Sequence, residues 1–230
     1  VGVNHVEAHL FSPGLEHELP LPFLGMVASG GHTEIYYVRE PGMATRLGST
    51  RDDAAGEAFD KVGKLLGLPY PGGPHVDRLA REGNAAAFAF PVARLGSDNF
   101  DLSFSGLKTA VKLAVEREPQ PLSAERIRDV AASTEKAIVT ALIDRIALAL
   151  EKHPSLAIAL AGGCACNTLL RREAERLGRE RGIPALFPSP ILCRDNGAMI
   201  AYAGWQTLTR GLRTPLTASA IPNLDAFPIA

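Results

Sequence analysis

Twice in this chain an apolar run of strand length stops at a small residue and paired glycines: Val27-Ala28-Ser29-Gly30-Gly31 and Leu160-Ala161-Gly162-Gly163. An uninterrupted apolar strand is buried on both faces, so it needs a layer packed above it and another below. Glycine at its end lets a ligand approach the backbone closely, and free N–H groups there can cradle phosphate or sugar. The two turns are either ordinary tight turns or the trace of two related lobes, each closing a central strand. The pattern alone leaves both readings open.

The segments around these runs alternate between strand and helix. Residues 5–11 read as a short helix. Residues 22–28 and 34–38, split by the Gly-Gly turn, read as a hairpin, with a third strand over 43–49. Asp52-Asp53 suits the N-terminus of a helix reaching Leu66, and Pro74 suits the first position of a helix through Glu82. Residues 83–105 read as loop. Ile127, Val130, Ala131, Ile138, Ala141, Leu142, Ile146 and Ala149 share one face of a long helix over 123–152, which Pro154 stops. A buried strand at 156–161, a helix from about Asn167, a short strand at 185–187 and a helix over about 196–210 complete an α/β class.

The 230 residues, 46% hydrophobic, suffice for one large domain or two small ones. A chain gripping nucleic acid through phosphates alone would be basic; the net charge here is -1, so such a role needs a local patch or a helper subunit. No apolar run has bilayer length and no secretory signal opens the chain, so a cytoplasmic protein without membrane contact is expected. The odd set Cys164, Cys166 and Cys193 agrees with reduced thiols there. The opening Val1-Gly2-Val3 reads as a strand end entering a helix, so an N-terminal part is expected to be missing.

His5 and His9 stand one helical turn apart in "HVEAH", on one face, and could share a metal ion. Glu7 falls about 200° round the helix, away from that face, which argues against the zinc-protease arrangement with its glutamate beside the first histidine. The simplest third ligand is Asp195, where a loop enters the last helix; two imidazoles and a carboxylate leave positions open for a substrate oxygen. Against this stand two ordinary histidines and an Asp195 that merely caps a helix. Asp53, Glu57, Asp60 and Lys61 read as a solvated helix face. Cys164 and Cys166 read as small residues packing a glycine turn, and the arginines from Arg171 to Arg181 as a charged outer face.

The segments "HVEAH", "ASGGHTEIYYV", "DDAAGEAFDKVGKLLGLPYPGGP", "LSFSGLKTAV", "AGGCACN" and "CRDNGAMIAYAG" occur in an order that resembles the bacterial tRNA N6-adenosine threonylcarbamoyltransferase family, once labelled a sialoglycoprotein endopeptidase. The resemblance implies a two-lobed fold of the actin, hexokinase and Hsp70 type, here N-terminally incomplete. Residues 1–110 would be the remainder of the first lobe and 111–230 the second. It implies an acyltransferase that moves threonylcarbamoyl from threonylcarbamoyl-AMP to N6 of adenosine 37 in tRNAs reading ANN codons, releasing AMP. It implies one divalent iron or zinc ion on His5, His9 and Asp195. It implies adenylate contacts from Val27, Ala28, Ser29, Gly30, Gly31, Asp60, Gly73, Asp77 and Asn167, with the aspartates serving ribose or adenine rather than phosphate. No general base is evident. Expected partners are tRNA, a paralogous subunit and a small ATPase. Cys164 and Cys166 depart from the family's usual Val, Ser or Ala, and the shortened chain is expected to be inactive alone. A metalloendopeptidase and a non-catalytic scaffold of the same fold are the alternatives.

Overall fold

The two apolar runs that end in glycine become neighbouring parallel strands. In the computed structural model, which describes residues 1–93, 95–96 and 99–221, β1 (Phe23–Ala28) and β4 (Ile158–Ala161) pair with Val27 opposite Ala161. Both turns therefore leave the sheet at the same edge. β1 also pairs antiparallel with β2 (Thr33–Glu40), closing the hairpin at Ala28 and Thr33, and β2 pairs with β3 (Met43–Ser49). With β5 (Ala185–Leu186) beside β4, the sheet order among the described residues is β3-β2-β1-β4-β5.

β1 is buried along its whole length and divides its side chains between two cores. Leu24, Met26 and Ala28 join Ile138, Leu142 and Ile146 of α5 (Ala124–Lys152) on one side. Phe23 and Val27 join Leu10 and Phe11 of α1 (His5–Phe11) on the other. This is the period-two alternation of a strand covered on both faces. Gly25 sits on the α1 side, where a Cβ would come 2.2 Å from Leu10 Cδ1, so its missing side chain lets α1 lie close to the sheet.

Helices α2 (Ala55–Leu65), α3 (Gly72–Ala80), α6 (Thr168–Arg181) and α7 (Gly197–Thr209) fall near their expected places. Two details differ. Asp52 does not begin α2: its Oδ1 accepts hydrogen bonds from the N–H groups of Phe104 (2.7 Å) and Ser105 (3.2 Å), opening a helix α4 (Ser105–Arg117) that the sequence did not suggest. Only Leu107 and Val111 of α4 are buried, too thin a stripe to read as amphipathic, and its cap comes from far upstream in the chain. α2 instead starts on the hairpin: Ala55 N–H donates to Thr33 Oγ1 (2.8 Å) and Gly56 N–H to Ser29 O (3.1 Å). Pro74 is the third residue of α3 rather than its first. Of the expected loop 83–105, positions 94, 97 and 98 lie outside the described residues; the rest up to 104 forms no helix or named strand.

Candidate active site

Local chemistry sets up the histidines. Asn4 caps α1, its Oδ1 accepting from Val6 N–H (2.9 Å) and Glu7 N–H (3.2 Å). The helix then stacks the His5 and His9 rings edge to face with centroids 4.8 Å apart. At the far end of the chain Asn196, not Asp195, caps α7 by accepting from Met199 N–H (2.9 Å). Asp195 is thereby free of the capping role, and its Oδ1 lies 2.9 Å from His9 Nε2 and 3.4 Å from His5 Nε2.

One ligand atom from each of the three residues falls within 4.8 Å of the others. His9 is 2% exposed, while the Asp195 side chain is 76% exposed, so the cluster is walled on one side and open on the other. Burial lowers the His9 pKa below its ordinary value; the hydrogen bond to Asp195 opposes this, and the charges of His5 and His32 add to it. The neutral imidazole favoured in this way is the metal-binding form. His9 Nδ1 is buried without a hydrogen-bond partner. Two imidazoles and a carboxylate with an open side fit zinc or ferrous iron. Glu7 has its electrostatic partner in Arg210 rather than in this cluster.

His32 follows the Ser29–Gly31 turn, and its charge is felt at His9. The turn is tied by Ser29 N–H to His32 O (2.7 Å) and by His32 N–H to Ser29 Oγ (3.1 Å). A Cβ built on Gly30, Gly31 or Gly163 would meet nothing within 4 Å, so the glycine-lined edge faces open space. Val27 and Ala28 are buried strand residues; they can reach a ligand only through the backbone that leads into the turn.

The other expected contact residues are held by helix starts. Asp60 Oδ1 accepts from Gly72 N–H (2.7 Å) and Gly73 N–H (3.4 Å) at the head of α3, and its charge reaches Cys164 in the 3-10 turn Gly163–Cys166. Asp77 Oδ1 accepts from Thr168 N–H (2.8 Å) at the head of α6 and pairs with Arg81. Asn167 caps α6 through Oδ1 to Leu170 N–H (2.8 Å) and turns its amide to Glu135 Oε1 (2.6 Å). Thus Asp77 and Asn167 meet at α6, Asp60 and Gly73 meet at α3, and His5, His9 and Asp195 form a separate cluster.

Glu135 was not expected. It is 5% exposed in α5, and burial raises its carboxyl to about 7, opposed by the Asn167 amide and reinforced by the Asp77 carboxylate. The signal was present: Glu135 lies four residues after Ala131 and three before Ile138, on the apolar stripe. A groove of about 520 Å³ opens beside it, lined by Asp77, Arg81, Lys136, Thr168 and Arg172 among others, away from the triad.

Residues 1–202 match the family model described as TsaD, tRNA N6-adenosine threonylcarbamoyltransferase. The chain belongs to this family. A threonylcarbamoyltransferase of Geobacter metallireducens is 48% identical over 223 residues, 97% of this chain and 65% of the relative. One of Desulfovibrio desulfuricans is 46% identical over 99% of this chain and 66% of the relative. The chain thus spans a little under two thirds of these threonylcarbamoyltransferases. Among solved structures, HypF of T. kodakarensis superposes with a TM-score of 0.67 at 15% identity, covering 91% of this chain and 37% of that one. The activator of 2-hydroxyisocaproyl-CoA dehydratase from Clostridium difficile gives a TM-score of 0.51 at 12% identity, covering 92% and 71%. These likenesses fix the fold as α/β of the actin, hexokinase and Hsp70 type. Among the described residues no helix of this family member is long and apolar enough to cross a membrane.

Proposed function

We propose that this chain carries the transfer site of a tRNA-modifying acyltransferase, in which threonylcarbamoyl passes from threonylcarbamoyl-AMP to N6 of adenosine 37 in tRNA. N6 attacks the carbamoyl carbonyl carbon, the bond from that carbon to the phosphate oxygen breaks, AMP leaves, and N6 gives up a proton. The observation that carries the reading is the family match over residues 1–202.

His5, His9 and Asp195 would hold one zinc or iron ion, which supplies Lewis acidity and a fixed point for the acyl group. The open Ser29–Gly31 turn would offset phosphate charge through backbone N–H groups. Asn167 and Asp77, fixed by Glu135 and Thr168, would hold the nucleoside end by its polar groups. Positioning does most of the work, since no general base stands out. The cell compartment would be the cytoplasm, where tRNA is found. With a net charge of -1, much of the tRNA grip would come from a paralogous subunit and a small ATPase.

Elemental analysis tests the metal part. Zinc or iron should co-purify at one equivalent per chain, and Asp195→Ala, a change at an exposed side chain, should lower that loading by about tenfold. Equal loading in both proteins would remove the triad from the proposal. Release of AMP from threonylcarbamoyl-AMP, dependent on tRNA with an unmodified adenosine 37 and assayed with the partner proteins, tests the reaction. Release that ignores tRNA would overturn it.

A further inference from the structure

Two of the three cysteines meet at the junction between the segment before α6 and the segment before α7. Cys166, half-buried at the end of the 3-10 turn, and Cys193, fully buried, are close enough that each is the strongest influence on the other's proton. Their sulfurs also face the same short stretch of backbone: Cys166 Sγ is 3.7 Å from Pro190 O and Cys193 Sγ 3.4 Å from Pro188 O. Arg171 fastens the two segments together. Its Nε donates to Ala165 O (2.6 Å), its Nη2 to Pro188 O (2.6 Å) and to Cys193 Sγ (3.4 Å), and the guanidinium lies over the Phe187 ring at 4.8 Å. The two cysteine-bearing segments are therefore tied together by charge-assisted hydrogen bonds from one guanidinium.

We propose that Cys166 and Cys193 form a reversible dithiol–disulfide modification site that hydrogen peroxide oxidises. Cys166 is the accessible member, so it meets the oxidant first. Its sulfur attacks one peroxide oxygen, the O–O bond breaks, and the other oxygen leaves as water after taking a proton. The resulting sulfenic acid lies against Cys193, whose sulfur attacks it. The S–S bond forms, the S–O bond breaks, and the second oxygen leaves as water. Two thiols lose two electrons and one peroxide gains them; a dithiol reductant reverses the change.

The surroundings favour this order. The contact with Cys193, with the charges of Arg171 and Arg194, lowers the Cys166 thiol below its ordinary value, which favours the thiolate that attacks. Cys164 next door is buried, and burial with the Asp60 charge pushes it up to about 12, which leaves it inert. The bridge would join the residue before Asn167 to the residue two before Asp195, tying together the segments that carry the nucleoside and metal ends of the site. The proposal holds whatever reaction the chain performs.

Treating the folded 230-residue chain with hydrogen peroxide and counting thiols tests it. Wild type and Cys164→Ser should each lose two thiols, with the loss of two hydrogens from the monomer mass. A non-reducing tryptic map should join peptide 153–171 to peptide 182–194, and dithiothreitol should restore both thiols. In Cys166→Ser, a near-isosteric change at a half-buried position, the loss of Cys193 should slow by about tenfold or more. Consumption of Cys164, a bridge between two copies, over-oxidation of Cys166 with Cys193 still free, or no thiol loss would each overturn the proposal.

Discussion

Gly162→Ala is expected to destabilise the fold by about 3 kcal/mol or more. Gly162 adopts φ 86 and ψ 170, a region closed to side-chain-bearing residues, and that alone costs about 1–3 kcal/mol. The new methyl would also lie 2.4 Å from Ala28 O. Ala28 cannot retreat, because β1 is hydrogen-bonded on one side to β2 and on the other to β4. The two glycine turns are thus packed on each other, and Gly162 is what permits it. Gly163, whose Cβ would meet nothing within 4 Å, supplies the control: alanine there should change the urea midpoint little. Equal midpoints for the two variants would sink this account of the turn.

Glu135→Gln should make the protein more stable above neutral pH and leave it unchanged in acid. Glu135 is buried and its folded pKa is raised to about 7 from the ordinary carboxylate value of 4.5. The folded state therefore holds this proton over a pH range in which the unfolded chain has released it. Stability is undiminished below pH 4.5, declines as pH rises, and is fully diminished once pH passes about 7. The separation corresponds to about 3 kcal/mol. Glutamine removes the ionisation and keeps both neighbours: its carbonyl can accept from Asn167 Nδ2, and its amide can donate to Asp77. Urea unfolding at pH 5 and pH 8 checks this. A glutamine variant that parallels the wild type at both pH values would mean that Glu135 is already ionised at little cost.

The histidine pair shows how far sequence reasoning reached into the site. Spacing put His5 and His9 on one face, and the structure keeps them there with ring centroids 4.8 Å apart. Asp195 was legible as a residue type in a suitable loop, but its freedom from capping was not, since either Asp195 or Asn196 could cap α7. Glu135 was passed over because a charged residue on an apolar helix face is usually read as the edge of the stripe. Its burial depends on α3 and α6 closing over it, which α5 does not encode.

What the sequence by itself determined is local. Strand β1, its hairpin to β2, the short α1 and the long α5 follow from residue-by-residue periodicity and from glycines at the turns, because backbone preference and apolar spacing act within a few residues. Tertiary structure decided what is joined over distance. The parallel pairing of β1 with β4 unites two turns more than 130 positions apart in the numbering, Asp52 caps α4 instead of α2, and Asp195 meets two histidines at the other end of the chain. Such contacts are favourable only once the intervening chain has been ordered, so their energy belongs to the assembled core, and no short stretch of sequence carries it.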